Sequence, residues 1–248
     1  MLTIEGLVLG YGGEPVLGGV DLSVEAGRIV ALVGPSGSGK SSILRTVMRL
    51  QAPLAGQIRL GVDRAEIGIL FQDDALLPWR NVRDNAALGL RARGWEHKRR
   101  VDEAEAWLRR VGLTGLGERY PGRLSGGQRK RAALAQVLVL KPRLLLMDEP
   151  FSALDAIVRH RIYQDLLGLV EQEGIAVLLV THDLEEALAL SDETYLLSAG
   201  PRARISQHYE VPFARPRDLG ATRADPRFGP LVAKLWQDLS SAAGPVVQ

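Results

Sequence analysis

Val20-Asp21-Leu22-Ser23-Val24 alternates apolar and polar positions, the period of a half-buried strand. The apolar stretch Leu2 to Leu9 reads as its partner, with Gly12-Gly13 as the turn between them. Arg28-Ile29-Val30-Ala31-Leu32-Val33 is a short, nearly continuous apolar run and predicts a fully buried strand. It feeds a Gly-rich turn, Gly34 to Gly39, and then a helix from about Lys40 to Leu50. Gln57 to Leu60 and Ile67 to Phe71 are further strands. After Gln72 the period changes. Val82 to Arg93 reads as helix with Asn81 as its N-cap, and Glu96 to Val111 as a charged helix with Trp107 and Leu108 on its less polar side. Thr114 to Tyr120 is a short connecting piece. A Gly-Gly turn follows, then helix at about Arg129 to Leu140, strand at Leu144 to Met147 and helix at about Ala156 to Glu171. Strand at Ala176 to Val180, helix at Leu184 to Leu190 and a hairpin around Ala199-Gly200-Pro201 complete the alternation. Strands alternating with helices imply a parallel, doubly wound α/β core. From Pro212 the chain turns rich in Pro and Arg, with one more helix at about Leu231 to Leu239.

Composition narrows the function classes. A formal net charge of +2 over 248 residues gives no basic stripe, so no nucleic-acid partner is expected. The run Lys98-Arg99-Arg100 is followed by Asp102, Glu103 and Glu105 and reads as a solvated, ion-paired helix turn. The absence of cysteine excludes disulfides and thiolate metal sites. The first ten residues lack a basic segment followed by an apolar one, so no secretory signal is expected. No run approaches the ~18 apolar residues of a spanning helix, so a membrane role must act through a partner. No fixed-period repeat is visible.

Gly34-Pro35-Ser36-Gly37-Ser38-Gly39-Lys40-Ser41 fits G-x-x-x-x-G-K-[ST] between a strand and a helix. Glycines let the backbone curl so that its N–H groups face phosphate oxygens, and the following helix adds its positive end. Lys40 places a charge on the β- and γ-phosphates of ATP, and Ser41 offers a hydroxyl to Mg²⁺. The apolar strand Leu144 to Met147 ends in Asp148-Glu149, at the sheet edge where open α/β folds bind ligands. Asp148 suits Mg²⁺ there, and Glu149 suits the proton of an attacking water.

These residues and four further motifs resemble the ATP-binding subunits of ABC transporters. Leu124-Ser125-Gly126-Gly127-Gln128 is similar to the family's signature, and Gln72 after a strand to its Q-loop. Ser152-Ala153-Leu154-Asp155 after Asp148-Glu149-Pro150 is similar to its D-loop, and Thr181-His182-Asp183 to its switch histidine. Tyr11 stands where the family has an aromatic that stacks on adenine, and Ser42 extends the phosphate loop. The resemblance covers residues 4 to 200. It implies a P-loop NTPase core with a parallel sheet flanked by helices, an N-terminal antiparallel β subdomain and an α-helical insert subdomain. The divisions expected are 1–72 with 125–211 for the core, 73–124 for the insert and 212–248 for a C-terminal tail. It also implies two copies pairing head to tail over two ATP molecules, each between one copy's P-loop and the other's Ser125 to Gln128 and Asp155. Ser125 with the Gly126 and Gly127 amides opens a helix, a second anion-binding terminus. His182 would meet the γ-phosphate, and Gln72 the Mg²⁺ and attacking water.

A narrower resemblance lies in Leu76-Leu77-Pro78-Trp79-Arg80-Asn81-Val82. It is similar to a segment of the ATPases of nitrate, sulfonate, taurine and thiamine-precursor importers. That implies a separate transmembrane permease touching Leu76 to Arg80, an extracytoplasmic solute-binding protein beyond it, and a peripheral place on the cytoplasmic face of the inner membrane. Leu76, Leu77 and Trp79 could equally pack in the core of the insert. Gln136 departs from the family's usual arginine after the signature. The ATPase of an exporter, or a non-transport ABC protein, is the alternative reading.

Overall fold

The computed structural model describes residues 1–151 and 154–242; Ser152 and Ala153 of the D-loop segment and residues 243–248 of the tail lie outside the described residues. In chain order the strands are β1 (Leu2–Tyr11), β2 (Glu14–Val24), β3 (Ile29–Val33), β4 (Ala55–Leu60), β5 (Ile67–Leu70), β6 (Leu144–Asp148), β7 (Ala176–Val180), β8 (Glu193–Leu197) and β9 (Ile205–Glu210). The helices are α1 (Lys40–Val47), α2 (Val82–Ala86), α3 (Leu88–Ala92), α4 (His97–Arg110), α5 (Gly126–Leu138), α6 (Ala156–Glu173), α7 (Leu184–Leu190), α8 (Leu219–Ala224) and α9 (Phe228–Ala242).

Two sheets form. One is antiparallel, in the order β2-β1-β4; the other runs β5-β6-β7-β3-β8-β9, parallel except at its β8–β9 edge. Period-2 alternation in the buried strands sorts side chains to two cores. Val30, Leu32, Leu144, Leu146, Leu178 and Val180 pack with β1, β2 and α1. Ile29, Ala31, Val33, Leu145, Met147, Val177 and Leu179 pack with the other helices. A slip of one residue would exchange the two sets, so the register is strongly specified. The helical segment shares the second core through Val82, Leu90, Trp107 and Leu108, and α5 packs on α2 and α4 as well as on β5 and α6.

The helix predicted over Lys40 to Leu50 ends at Val47, because Arg49 takes the left-handed conformation with φ 57°. The single helix predicted over Val82 to Arg93 is two short ones meeting at Ala87. The helix expected from Arg129 begins at Gly126, drawn forward by a cap on Ser125. The Pro/Arg-rich tail holds α8 as well as a C-terminal helix longer than expected. Its Phe213, Leu219, Phe228 and Leu235 are buried in the second core. Arg215 reaches Asp192 at 2.7 Å, and the buried Arg217 lies 3.5 Å from the same carboxylate.

Candidate functional site

The register of the parallel sheet sets the site. Leu32 on β3 and Asp148 on β6 are both level with Val180 on β7. The chain therefore leaves all three strands at one edge, as Gly34, Glu149 and Thr181. The backbone ties them together, Glu149 N donating to Val180 O at 2.8 Å and Thr181 N to Leu32 O at 3.2 Å.

The loop after β3 is a curled cradle. Gly39 has φ 91°, and a Cβ there would come within 2.8 Å of the Leu17 side chain, so only glycine serves. Lys40 is buried at 7% exposure, its ammonium donating to the carbonyls of Gly34 and Pro35 at 2.8 Å each. Burial pulls its pKa down, and the carboxylates of Glu149 and Asp148 oppose that. Ser38 Oγ is fully buried and has no hydrogen-bond partner among the described residues. Such an orphan, beside a lysine held inward, fits an oxyanion ligand. Tyr11, Ser36, Gly37, Gly39 and Ser42 line the same cavity of about 370 Å³ with Lys40, Ser41 and Glu149. Tyr11 is 55% exposed, with its hydroxyl 2.9 Å from Ser42 Oγ, so its ring walls the mouth.

Ser41 Oγ donates to Asp148 Oδ1 at 2.8 Å. Burial raises the Asp148 pKa; the Ser41 hydrogen bond counters this and Glu149 adds to it. A hydroxyl and a carboxylate side by side are the hard oxygen donors that Mg²⁺ takes together with phosphate oxygens. Among the described residues no cluster of three or more acidic, His or Cys side chains forms an all-protein metal site. Glu149 sits at φ 43°, a left-handed conformation costing a non-glycine residue about 1–3 kcal/mol. His182 Nδ1 lies 3.0 Å from Glu149 Oε2.

The signature stands apart from this cavity. Ser125 caps α5 by accepting from Gln128 N at 3.3 Å, while Gln128 Oε1 accepts from Ser125 N at 3.0 Å. Gly126 and Gly127 form the first turn, and a Cβ on Gly127 would strike Val158 Cγ1 at 2.4 Å. Ser125, Gly127 and Gln128 line a different cavity of about 270 Å³, with Ile157 and Arg161. Asp155 caps α6, accepting from Val158 N at 3.0 Å.

Gln72 is exposed just past β5, at the sheet edge that carries Asp148. Its carbonyl accepts from Lys130 Nζ. Asp74, two residues on, binds Arg129 Nε at 3.1 Å and Lys130 Nζ at 3.0 Å. This clamp between the Q-loop and the signature helix was missed in the sequence. Its signal was the acidic pair after Gln72 set against the cationic run after Gln128.

The Leu77 to Arg80 loop hangs on one buried side chain. Asn85 accepts from Leu77 N at 2.7 Å and donates to the carbonyls of Leu77, Arg80 and Asn81 at 3.0 to 3.1 Å. Leu76 packs on the core, whereas Trp79 is 71% exposed. Nearby, Ile67, Ile69, Phe71, Leu88, Gln136 and Leu140 help line an apolar groove of about 330 Å³.

The family profile described as ABC transporter matches residues 17–152. The chain is 43% identical over 237 residues to the taurine import ATP-binding protein TauB of Escherichia coli O157:H7, covering 92% of both chains. It is 42% identical, with the same coverage, to the protein of that name in Shigella sonnei strain Ss046. Among solved structures it resembles the dimeric MJ0796, a bacterial ABC transporter cassette. That match has a TM-score of 0.75 and 28% identity, over 86% of this chain and 100% of the other. A post-hydrolysis dimer of MJ0796 with ADP and Pi aligns at TM-score 0.74 and 27% identity, over the same shares of the two chains.

Proposed function

The chain belongs to the ABC transporter family, and from that premise we propose that it is the ATP-hydrolysing subunit of an importer that closes two copies of itself around ATP. The observation that carries the reading is the separation of the two anion-binding elements. The P-loop cavity holds Lys40, Ser41 and Glu149, while Ser125, Gly127 and Gln128 line another cavity of the same chain. One copy can offer each phosphate only half a site, and a second copy supplies the rest.

In that sandwich the Gly34–Ser41 loop holds the phosphates and Tyr11 stacks on the base, with the partner copy's signature and D-loop closing over the γ-phosphate. Ser41 and Asp148, with Gln72, would hold Mg²⁺, which when bound neutralises charge on the phosphates. Glu149 accepts the proton of the attacking water as its oxygen bonds to the γ-phosphorus. The bond from that phosphorus to the β-phosphate oxygen breaks, and ADP and phosphate leave. His182, 3.0 Å from Glu149, would meet the γ-phosphate.

This division can be tested by mixing defective copies. Ser125→Arg blocks the signature and Lys40→Ala the cradle. A dimer of one of each has one site carrying both lesions and one carrying neither. Equimolar mixtures are expected to regain up to about a quarter of wild-type turnover, the statistical limit for half-active mixed dimers. Mixtures no more active than the separate variants would refute the shared site.

For transport we take residues 73–124 as the helical subdomain that meets the permease, 1–72 with 125–211 as the ATP-binding core and 212–248 as the C-terminal tail. No described helix is long and apolar enough to cross a membrane, so the passage lies in another chain. The exposed Trp79, pinned out by Asn85, and the apolar groove beside β5 suit an apolar cytoplasmic segment of that permease. The subunit then sits on the cytoplasmic face of the inner membrane, with a solute-binding protein on the far side. The relatives' names make a small sulfonate such as taurine the first solute to try. Trp79→Ala is expected to leave basal turnover within about twofold and weaken permease co-purification about tenfold or more, as for an exposed anchor. Undiminished co-purification would remove Trp79 from the interface. Taurine stimulation of turnover in vesicles holding the assembled system checks the solute.

A further inference from the structure

Behind the switch histidine lies a buried polar group that the reaction as described does not use. Glu186, on the first turn of α7, is 4% exposed. Thr181 Oγ1 donates to Glu186 Oε2 at 2.9 Å and accepts from Asp183 N at 3.0 Å. The hydroxyl therefore clasps the backbone on both sides of His182. The Tyr163 hydroxyl on α6 and Glu186 Oε1 are buried and make no hydrogen bond of good geometry among the described residues. They nonetheless face each other closely enough to shift each other's proton affinity. Tyr163 also forms a T-shaped pair with Phe151, at 5.1 Å between ring centroids, and Phe151 lies two residues past Glu149. Arg159, on the first turn of α6, lies 3.7 Å from the Asp183 carboxylate.

We propose that Glu186, through Thr181 and against Tyr163, is the positioning residue that holds His182 toward Glu149 and joins the switch loop to the helix following the D-loop. The proposal rests on the reading of His182 as the group that meets the γ-phosphate. A rigid tie suits that role, because small displacements of a reacting or sensing group cost rate steeply. Burial pushes the Glu186 pKa up to about 7; the facing Tyr163 hydroxyl, the Thr181 hydrogen bond and the Arg159 charge oppose this, and Asp183 adds to it. As pH rises through about 7 the proton is lost, and the buried anion is left beside Asp183, still held by the Thr181 hydroxyl and opposed by the Arg159 charge.

The test measures kcat and KM for ATP of the full chain as wild type, E186A, E186Q, T181V and H182A. E186A and T181V are expected to lower kcat about tenfold, with KM for ATP within about twofold, because the cradle is untouched. E186Q keeps a neutral hydrogen-bonding group of the same size and is expected to retain at least about half of wild-type kcat. Wild-type kcat in T181V, or equal losses in E186A and E186Q, would each overturn the proposal. T181V and E186Q preserve side-chain volume and decide the matter even if E186A fails to fold. Unchanged turnover in H182A would strike the reading of His182 itself, an outcome distinct from failure at Glu186.

Discussion

Glu149→Gln is expected to bind ATP normally and to turn over about 10²–10⁴-fold more slowly than the wild type, the range that loss of a general base produces. That is about 3–5 kcal/mol of transition-state stabilisation at ~1.4 kcal/mol per decade. The amide keeps the volume and a hydrogen-bonding oxygen toward His182, 3.0 Å away, so the cradle and the switch loop stay in place. Only the capacity to take a proton is removed. With ATP bound and not cleaved, the second copy is not released. Gel filtration with ATP is therefore expected to show a lasting dimer for this variant and a transient one for the wild type. Turnover within about threefold of wild type would mean that another group takes the proton.

Lys40→Ala is expected to weaken ATP binding about 10–100-fold, from the ~1.5–3 kcal/mol carried by hydrogen bonds to a charged group. The ammonium is already desolvated, which is why burial lowers its pKa. Much of the cost of dehydrating it is met on folding, before the nucleotide arrives. In the free protein the charge rests on the carbonyls of Gly34 and Pro35, and it is available to phosphate with little movement. Titration of the variant with a non-hydrolysable ATP analogue checks the expectation. An unchanged dissociation constant would mean that Lys40 merely braces the loop.

The two variants would separate holding from cutting, and both groups stand out in the sequence alone. Glycines spaced for a phosphate turn, a lysine at its end and a carboxylate pair closing an apolar strand each carry their chemistry in residue type and local order. Local physics also sufficed for the buried strands, whose runs are apolar because both faces of a parallel sheet are covered. It was less reliable at helix ends. Arg49 in a left-handed turn stopped one helix early, and the reciprocal cap of Ser125 and Gln128 started another sooner.

Other features depended on groups far apart in the chain. Asp74 reaches Arg129 and Lys130 only because α5 packs beside β5. The sequence left Leu76 and Trp79 equally able to pack or to face a partner. The Asn85 clasp turned the loop so that Leu76 packs and Trp79 stands in solvent. Glu186 reads in the sequence as one more acidic residue opening a helix; in the fold it is a buried carboxyl facing Tyr163 of α6. By itself the sequence determined that the chain holds and cleaves ATP, because those groups are encoded in short runs. Only the tertiary structure decided that the P-loop and the signature line different cavities. That separation depends on the parallel register of β3, β6 and β7 and on the packing of α5 beyond β5, and no local pattern specifies either.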